Sequence, residues 1–532
     1  MDQNTYVRSA LTISIAFAIS ACGGNDSGTP AGLLFTEIVP RVIACATGDQ
    51  PETGLQGQVP AALRAAGFKG FNCNIDLVGK LQGEGGNWSS ATFKDKAGNR
   101  CAYHSTATPP ANVATGGRQN PGVPVINITD PANPVRTMSL TTKAMLDPWE
   151  SLRVANSRQL LVAVNGTQSV GGPEVDVYDL SQDCRTPQLM SSVALTDSTG
   201  DSAASDKPIN GHEGNISPDG LTYYVGDYTS GLYHAVDITN PTRPKVIATF
   251  NMKTSSPIGK VAHGLSISED GKRVYAVAIG PTGEPVSPTN LADPKFAENG
   301  FLVLDTTQVQ ARAPNPQMRL VSATTFRDGT YAQHTIETKV GGKPYMVMVD
   351  EGGSAGSGNA ANAKNACLVG LAPFPMARIY DMADEKNPKV ISKLGLETHD
   401  PKKCDTVLPD IVGLGIFTYG SHYCSVDNRQ NATAMACSYF NSGIRVFDIR
   451  KPAEPKEIAY FNPPSASSVP GSNHAAFGQW RAGGPDWCAS RLDFDKETGT
   501  LTTMCQDNGL LVMKFKNGVW PFNESVASTL QN

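Results

Sequence analysis

The sequence predicts an all-β protein, a seven-bladed β-propeller built from four-stranded antiparallel blades. Three observations predict it: a turn-rich composition, a short unit that recurs along the chain, and paired strands joined by tight turns before the copies of that unit. The 532 residues include 52 glycines and 37 prolines, and only 17% are charged. With long helical periodicities scarce, this composition is typical of all-β proteins.

The recurring unit is an alternating apolar strand that ends at an acidic or amide residue. A proline-containing turn and a second apolar strand follow it. Clear copies are HAVDITNPTRPKVIATF from His234 and IRVFDIRKPAEPKEIAYF from Ile444. The strand-ending residues are Asn127, Asp179, Asp237, Asp305, Asp381 and Asp448. We expect each of these side chains to accept hydrogen bonds from the amides of its own turn.

Two further strands precede each unit, joined by turns such as Pro218-Asp219-Gly220. Four strands per unit, with a period of roughly 45–75 residues, fit a propeller blade. The units begin near Trp88, Trp149, His212, His263, His334, His422 and Trp487. The last unit lacks one strand, which the segment from Asn74 to Leu81 is predicted to supply, closing the ring. A ring of six or eight blades is the alternative, because the first and last units are the least regular.

This repeated motif resembles the LVIVD repeat, which builds β-propellers in bacterial surface proteins. The match covers nearly all of the chain after about residue 70. The resemblance implies a propeller over residues 71–516, followed by a C-terminal tail at 517–532. It implies no defined reaction.

The N-terminus carries the features of an export signal. An apolar run from Ala10 to Ile19 is too short to span a bilayer permanently but suits a secretory signal. It leads into Cys22 through a sequence that resembles the lipobox of bacterial lipoproteins. The resemblance implies removal of residues 1–21 and lipid on Cys22, with residues 22–70 forming a tether and an N-terminal extension. We therefore expect a lipid-anchored protein of the outer membrane or cell surface, facing the periplasm or the exterior. An ordinary signal peptide with a chance cysteine is the alternative.

Ten of the eleven cysteines remain once Cys22 is set aside, an even number that suits disulfides in an oxidising compartment. Neighbouring strands favour the pair Cys424 and Cys437 and the pair Cys488 and Cys505. Cys367 and Cys404 could pair across a long insertion, 351–375, whose composition predicts a mobile loop. The partners of the remaining four stay open: Cys45, Cys73, Cys101 and Cys184.

Four of the eight histidines hold matching places at the starts of innermost strands, where a propeller's blades converge on its channel: His212, His263, His334 and His422. Imidazole is a common ligand of copper, zinc and iron, and Glu150 or Glu213 could complete the set. These six residues predict a site for one transition-metal ion. The alternative is that each histidine packs within its own blade, because repeated position is expected of any repeat. A shift of one residue in the strand register would also turn the imidazole of a histidine away from the channel.

Trp149, which begins blade two, and His474, in the loop before blade seven, are predicted to line a ligand site on the same face. Asp350 and Glu351 either line the channel mouth or flank the insertion. A net charge of −5 with dispersed signs gives no reason to expect nucleic acid as a partner.

Two functions from different classes follow. The first is a lipid-anchored, extracytoplasmic propeller that binds a protein, polymer or small molecule at its channel face. The alternative is a metal-dependent oxidoreductase that uses the histidines. Methanethiol oxidases of the selenium-binding protein family look like propellers whose channel histidines bind copper, which is an analogy of fold alone.

Overall fold

The computed structural model describes residues 38–85, 88–105, 120–166, 172–195, 209, 211–280, 285–356, 359–412, 417–466 and 483–523. The predicted signal, Cys22 and His474 lie outside the described residues. Within the described ranges, no helix has the length and apolar character needed to cross a membrane.

The described residues form short strands throughout. In chain order they are β1 (Phe71–Cys73), β2 (Ile75–Leu81), β3 (Ser90–Lys94), β4 (Arg100–His104), β5 (Val123–Asn127), β6 (Val135–Leu140), β7 (Arg153–Ala155), β8 (Leu160–Val164), β9 (Val175–Asp179), β10 (Gln188–Val193), β11 (Glu213–Ile216), β12 (Thr222–Asp227), β13 (Leu232–Asp237), β14 (Lys245–Asn251), β15 (Leu265–Ile267), β16 (Arg273–Ala278), β17 (Asn299–Asp305), β18 (Arg319–Phe326), β19 (Gly329–Val340), β20 (Lys343–Gly353), β21 (Ala377–Asp381), β22 (Lys389–Leu394), β23 (Cys424–Val426), β24 (Ala434–Ser438), β25 (Ile444–Asp448), β26 (Lys456–Asn462), β27 (Asp493–Asp495), β28 (Thr500–Cys505) and β29 (Gly509–Phe515).

Helices are few and short. The α-helices are α1 (Ala61–Ala66), α2 (Lys143–Leu146), α3 (Met252–Ser255), α4 (Thr307–Gln310), α5 (Ala360–Leu368) and α6 (Cys404–Ile411), and the 3₁₀ segments are Pro294–Ala297, Glu397–His399 and Pro401–Lys403.

The strands form seven antiparallel sheets, which confirms the predicted seven-bladed propeller. Blades one to five are the successive sheets β3–β6, β7–β10, β11–β14, β15–β18 and β19–β22. Blade six contains β23–β26 and a fifth strand, β1, while blade seven combines β27–β29 with β2. From blade one to blade six, the first strand of each blade contacts the first strand of the next, so these innermost strands line the channel.

The predicted strand ends are confirmed residue by residue. The third strand of each of blades one to six ends at the predicted Asn or Asp. In every copy the side-chain oxygen of that residue accepts a hydrogen bond from the backbone N–H two residues later, at 2.8–3.0 Å. Because this contact reaches only two residues along the chain, the local sequence alone fixes the turn and repeats it in blades one to six.

Ring closure follows the prediction as well. Strand β2 pairs with β29 from Ile75 opposite Phe515 to Leu81 opposite Leu510, so an N-terminal strand completes the C-terminal blade. Apolar side chains fill the spaces between neighbouring sheets. Tyr224 and Tyr233 of blade three, for example, pack with Leu265 and Val274 of blade four. The core is thus a series of inter-blade layers around the channel.

Five disulfides are present, and all three predicted pairs are among them. The bonds are Cys424–Cys437, Cys488–Cys505, Cys367–Cys404, Cys45–Cys73 and Cys101–Cys184. The insertion after β20 differs from the predicted loop, because α5 begins there with Asn359 as its N-cap. The disulfide from Cys367 then joins α5 to Cys404 at the start of α6.

Candidate metal centre

The starts of the innermost strands bring side chains from five successive blades to one end of the channel. Backbone hydrogen bonds set this arrangement: Glu150 N–H donates to the His212 carbonyl at 3.2 Å, and Gly264 N–H donates to the Gln333 carbonyl at 3.0 Å. The side chains, in order from blade two to blade six, are Glu150, His212, His263, Gln333 together with Glu351 from the second strand of the same blade, and His422. We call these six residues the channel cluster.

Glu150 lies at the centre of the channel cluster and is 1% exposed. Its Oε1 is 3.2 Å from His422 Nε2, and its Oε2 is 3.6 Å from Nε2 of both His212 and His263. Gln333 Nε2 donates a hydrogen bond to the same Oε2 at 3.0 Å. One buried carboxylate therefore faces three imidazoles contributed by three other blades.

Glu351 is the second carboxylate, and of the two alternatives left open for it, it lines the channel. Its Oε2 lies 3.0 Å from His422 Nε2, and its Oε1 lies 3.7 Å from His263 Nε2. The neighbouring Asp350 faces elsewhere and pairs with the buried Arg378 at 2.8 Å. Alternation along β20 thus separates two adjacent acids into one cluster residue and one structural residue.

Glu213 lies beside the cluster rather than within it. Arg153 and Arg491 donate to its Oε1 at 3.1 and 2.5 Å. Its Oε2 lies 3.5 Å from His263 Nδ1, the ring atom opposite the one that faces Glu150. A carboxylate in this place orients an imidazole whose other nitrogen faces the site.

The structure places His334 apart from the other three histidines. The ladder between β19 and β20 shifts register between Ala332 and His334, which makes Gln333 the extra residue. Gln333 consequently enters the channel, and the His334 ring lies against Tyr423 with its Nε2 accepting from Cys424 N–H at 3.3 Å. Burial lowers the pKa of His334 to about 3, so it is neutral. For this one residue the contacts match the packing alternative.

Burial and charge move the pKa values of the cluster in opposite directions. Burial disfavours the cation of His422, but hydrogen bonds to Glu150 and Glu351 outweigh it and raise its pKa to about 10. Burial of His263 is likewise outweighed by the surrounding carboxylates, which raise its pKa to about 8. Burial and the charge on His263 lower the pKa of His212 to about 3. Burial of Glu150 is outweighed by the neighbouring His263 and His422, so its pKa falls to about 2.

Hydrogen bonds outside the cluster orient two of its histidines. His422 Nδ1 lies within hydrogen-bond distance of the Ala489 carbonyl, so Nδ1 donates there while Nε2 faces Glu150 and Glu351. His212 Nε2 accepts a hydrogen bond from Trp149 Nε1 at 3.1 Å. The Trp149 bond occupies a lone pair that a metal ion would otherwise use.

Aromatic residues surround the cluster. The aromatic rim consists of Trp88, Trp149, Phe417, Phe440 and Trp487, which pack together as one group. The rings of Trp88 and Trp149 stack at 5.0 Å, and those of Phe440 and Trp487 also stack at 5.0 Å. His212 is 20% exposed, so the cluster reaches solvent beside Trp149. The predicted ligand-site residue Trp149 thus lies at the site, whereas its predicted companion His474 is outside the described residues.

Two sets of side chains in the cluster could hold a metal ion, because their candidate ligand atoms lie within 4.8 Å of one another. One set is Glu150, His212 and His263, and the other is Glu150, Glu351 and His422. Two further such sets in the described residues contain cysteines: one includes Cys45 and Cys73, and the other includes Cys184. Those cysteines form disulfides and offer no thiolate.

Comparison with known proteins adds only distant structural neighbours. The sequence matches no protein-family model, and it matches no curated protein. A crystal structure from Bacteroides uniformis, provisionally assigned as a 6-phosphogluconolactonase, is 11% identical with a TM-score of 0.48, over 79% of this chain and 93% of that one. The periplasmic gluconolactonase of Pseudomonas aeruginosa is 13% identical with a TM-score of 0.44, over 75% and 90%. The β-propeller domain of Cps50 (Swd1) from Myceliophteria thermophila is 9% identical with a TM-score of 0.44, over 83% and 100%. Membership of an LVIVD-repeat family stays a prediction from the repeated motif.

Proposed function

We propose that the channel cluster binds a transition-metal ion and that this centre is where the protein binds a small-molecule ligand. The convergence of three imidazoles on the buried carboxylate of Glu150, at 3.2–3.6 Å, carries the proposal. A propeller that needed only a packed channel would fill it with apolar side chains, because burying ionisable groups costs free energy. Function is the usual reason to keep such groups together.

The packing alternative explains the cluster less well than it explains His334. His334 Nε2 accepts a hydrogen bond from the backbone of the next blade, as a structural histidine does. His263 is fully buried, yet neither of its ring nitrogens makes a hydrogen bond among the described residues. Its nearest polar neighbours are three carboxylates, at 3.5–3.7 Å. Such a ring is positioned to face a cation rather than to tie a blade together.

The chemistry of the donor set narrows the choice of metal. Two imidazoles with a carboxylate form the ligand set of many non-haem iron sites, and zinc and manganese also accept imidazole and carboxylate ligands. Because the buried carboxylates of Glu150 and Glu351 belong to the set, we favour zinc or iron over a copper centre held by histidines. A metal-dependent enzyme is the second candidate function. It is favoured by the partial exposure of His212, which gives a ligand access to an otherwise buried centre.

Elemental analysis of the protein purified without chelators or a histidine tag tests this proposal. We expect near-stoichiometric zinc, iron or manganese in the wild type and its loss in His263→Asn. The matched control is His334→Asn, which changes a buried histidine of the next blade that lies outside the cluster. We expect this control to keep the metal. Absence of metal even after reconstitution, or equal loss in both variants, would contradict the proposal.

We also propose that the propeller is exported and held at a membrane by lipid on Cys22. Support comes from the lipobox-like sequence and from five disulfides, which persist in oxidising compartments. Cys22→Ser should move the protein from the membrane fraction to the soluble fraction. An unchanged distribution between the two fractions would contradict lipid anchoring through Cys22 and favour an ordinary signal peptide.

A further inference from the structure

Glu150 and Glu351 each divide their two oxygens between the same two histidines. His422 Nε2 lies 3.2 Å from Glu150 Oε1 and 3.0 Å from Glu351 Oε2. His263 Nε2 lies 3.6 Å from Glu150 Oε2 and 3.7 Å from Glu351 Oε1. In their shortest contacts both carboxylates therefore bridge the gap between His263 and His422, with a different oxygen nearest to each imidazole.

From this division we infer that the channel cluster holds two divalent metal ions, bridged by the carboxylates of Glu150 and Glu351. The inference rests on the proposed metal binding and specifies its stoichiometry. Ions in dinuclear protein sites lie about 3.5–4 Å apart, a separation that the two oxygens of one carboxylate can span. Carboxylates combined with histidines are the usual ligands of such di-iron and di-manganese centres.

The ligands divide into two sets that share the bridges. The first ion takes His263 Nε2, with His212 beside it, together with Glu150 Oε2 and Glu351 Oε1. The second takes His422 Nε2 with Glu150 Oε1 and Glu351 Oε2. Both sets of side chains whose ligand atoms lie within 4.8 Å of one another contain Glu150, as a shared bridging ligand requires.

Buried polar atoms without a hydrogen bond give independent support. Among the described residues, His263 Nε2 and Gln333 Oε1 are buried and make no hydrogen bond. Both side chains are fully buried, and His263 Nε2 is the ring nitrogen that faces Glu150 and Glu351. Buried polar atoms normally have a hydrogen-bond partner, so an unpartnered imidazole nitrogen that faces two carboxylates is a place where a cation would complete the site.

The experiment is a titration of the purified full-length protein, stripped of metal with a chelator, with Mn²⁺. Equilibrium dialysis with elemental analysis gives the number of ions per chain, and electron paramagnetic resonance reports whether they interact. We expect two Mn²⁺ per chain and the multiline spectrum of an exchange-coupled pair. One tightly bound Mn²⁺ with the six-line spectrum of an isolated ion would overturn the dinuclear inference and leave the proposed metal site intact. No tightly bound Mn²⁺, Zn²⁺ or Fe²⁺ would overturn both.

Glu351→Gln tests the bridge directly. An amide offers one oxygen in place of two, so we expect the stoichiometry to fall from two ions to one and the coupled spectrum to disappear. Glu337→Gln is the matched control, because Glu337 is a largely buried acid of the same blade that pairs with Arg429 outside the cluster. It should keep two ions. Two coupled ions in Glu351→Gln would also overturn the inference, and thermal unfolding of both variants verifies that each is folded.

Discussion

Four aromatic residues near the channel cluster have left-handed backbone conformations: Trp149, Tyr331, Phe417 and Phe440, with φ between 44° and 54°. Bulky side chains seldom adopt this conformation, because the Cβ approaches the following carbonyl. The other non-glycine residues with positive φ in the described ranges are polar or charged. Three of the four aromatic residues belong to the aromatic rim, and Tyr331 contacts it through Phe417. Strain is thus concentrated where ligand binding is proposed, as in many functional sites.

Position 440 allows this strain to be measured. Phe440 is fully buried with φ of 44°, so both Phe440→Ala and Phe440→Gly should lower the free energy of unfolding by about 3–5 kcal/mol through lost packing. Glycine should be the more stable of the two by about 1 kcal/mol, because only alanine retains the left-handed penalty. Urea denaturation measures the difference. At the control position, Ala459→Gly in β26 should lower the stability. If Phe440→Gly were likewise less stable than Phe440→Ala, the argument for strain at position 440 would fail.

The hydrogen bond from Trp149 to His212 leads to a second prediction at this scale. Trp149→Phe keeps an aromatic ring in the rim but frees the Nε2 lone pair of His212. We expect affinity for Zn²⁺ to rise about threefold to tenfold, the equivalent of one net hydrogen bond. Titration calorimetry measures it, with Trp88→Phe as the control that leaves the Trp149–His212 bond in place. A lower affinity in Trp149→Phe would mean that the indole positions His212 for binding.

At the scale of elements, the sequence predicts those features of a strand or turn that depend on contacts within a few residues of the chain. The strand-ending Asp of each blade is predictable because its hydrogen bond reaches only two residues along the chain. The cluster is less predictable because it depends on register. His334 follows the same pattern as His212, His263 and His422, but the irregular pairing of β19 with β20 gives its place to Gln333. That irregularity also lies where Glu351 reaches the channel, from the second strand of its blade. Nothing within either strand's own sequence specifies it.

The segment between blades four and five contains an ion pair that should make stability depend on pH. Asp328 joins β18 to β19 and bonds the fully buried Arg378 at 2.9 Å and Lys393 at 3.0 Å. Burial raises the pKa of Asp328, but these two cations outweigh burial and lower it well below its usual range. A lowered pKa in the folded state stabilises the fold above the unfolded-state pKa of about 4, and this contribution is lost as pH falls below it.

Asp328→Asn should therefore cost about 1.5–3 kcal/mol at pH 7, because Arg378 and Lys393 lose a charged partner while Arg378 keeps its bond to Asp350. The cost should shrink progressively below about pH 4, because Asp328 of the unfolded wild type then binds a proton while the folded carboxylate stays ionised. Urea denaturation from pH 7 to pH 3 measures both. Glu269→Gln is the control, since its surface contact with Lys339 should contribute little throughout. A cost that does not change with pH would show that the charge on Asp328 is not what stabilises this segment.

At the scale of the whole molecule, the ring closes through non-covalent pairing of chain segments more than four hundred residues apart. Strand β2 completes blade seven and β1 extends blade six, so the N-terminal segment joins both blades. The disulfide Cys45–Cys73 holds the extension to β1, and Cys101–Cys184 joins blade one to blade two. The closing strand was predictable from its apolar pattern and from the strand missing in the last unit. The cross-blade disulfide was not, because spacing does not reveal which positions of two adjacent blades come within disulfide distance.

Gly79 marks the place where the closing strand meets blade one. It lies in β2 next to a register shift against β29, and a Cβ there would lie 1.9 Å from the Pro131 carbonyl in the turn between β5 and β6. Gly79→Ala must therefore push β2 away from blade one or from β29, at a cost of about 1–3 kcal/mol. Chemical denaturation measures the loss of stability, and faster proteolysis before residue 90 should accompany it if the ring opens at this seam. Leu77→Ala, at an exposed position of the same strand, should change stability by no more than about 0.5 kcal/mol. A Gly79→Ala variant as stable as the Leu77→Ala control would mean that blade one does not confine the closing strand, and that pairing with β29 alone closes the propeller.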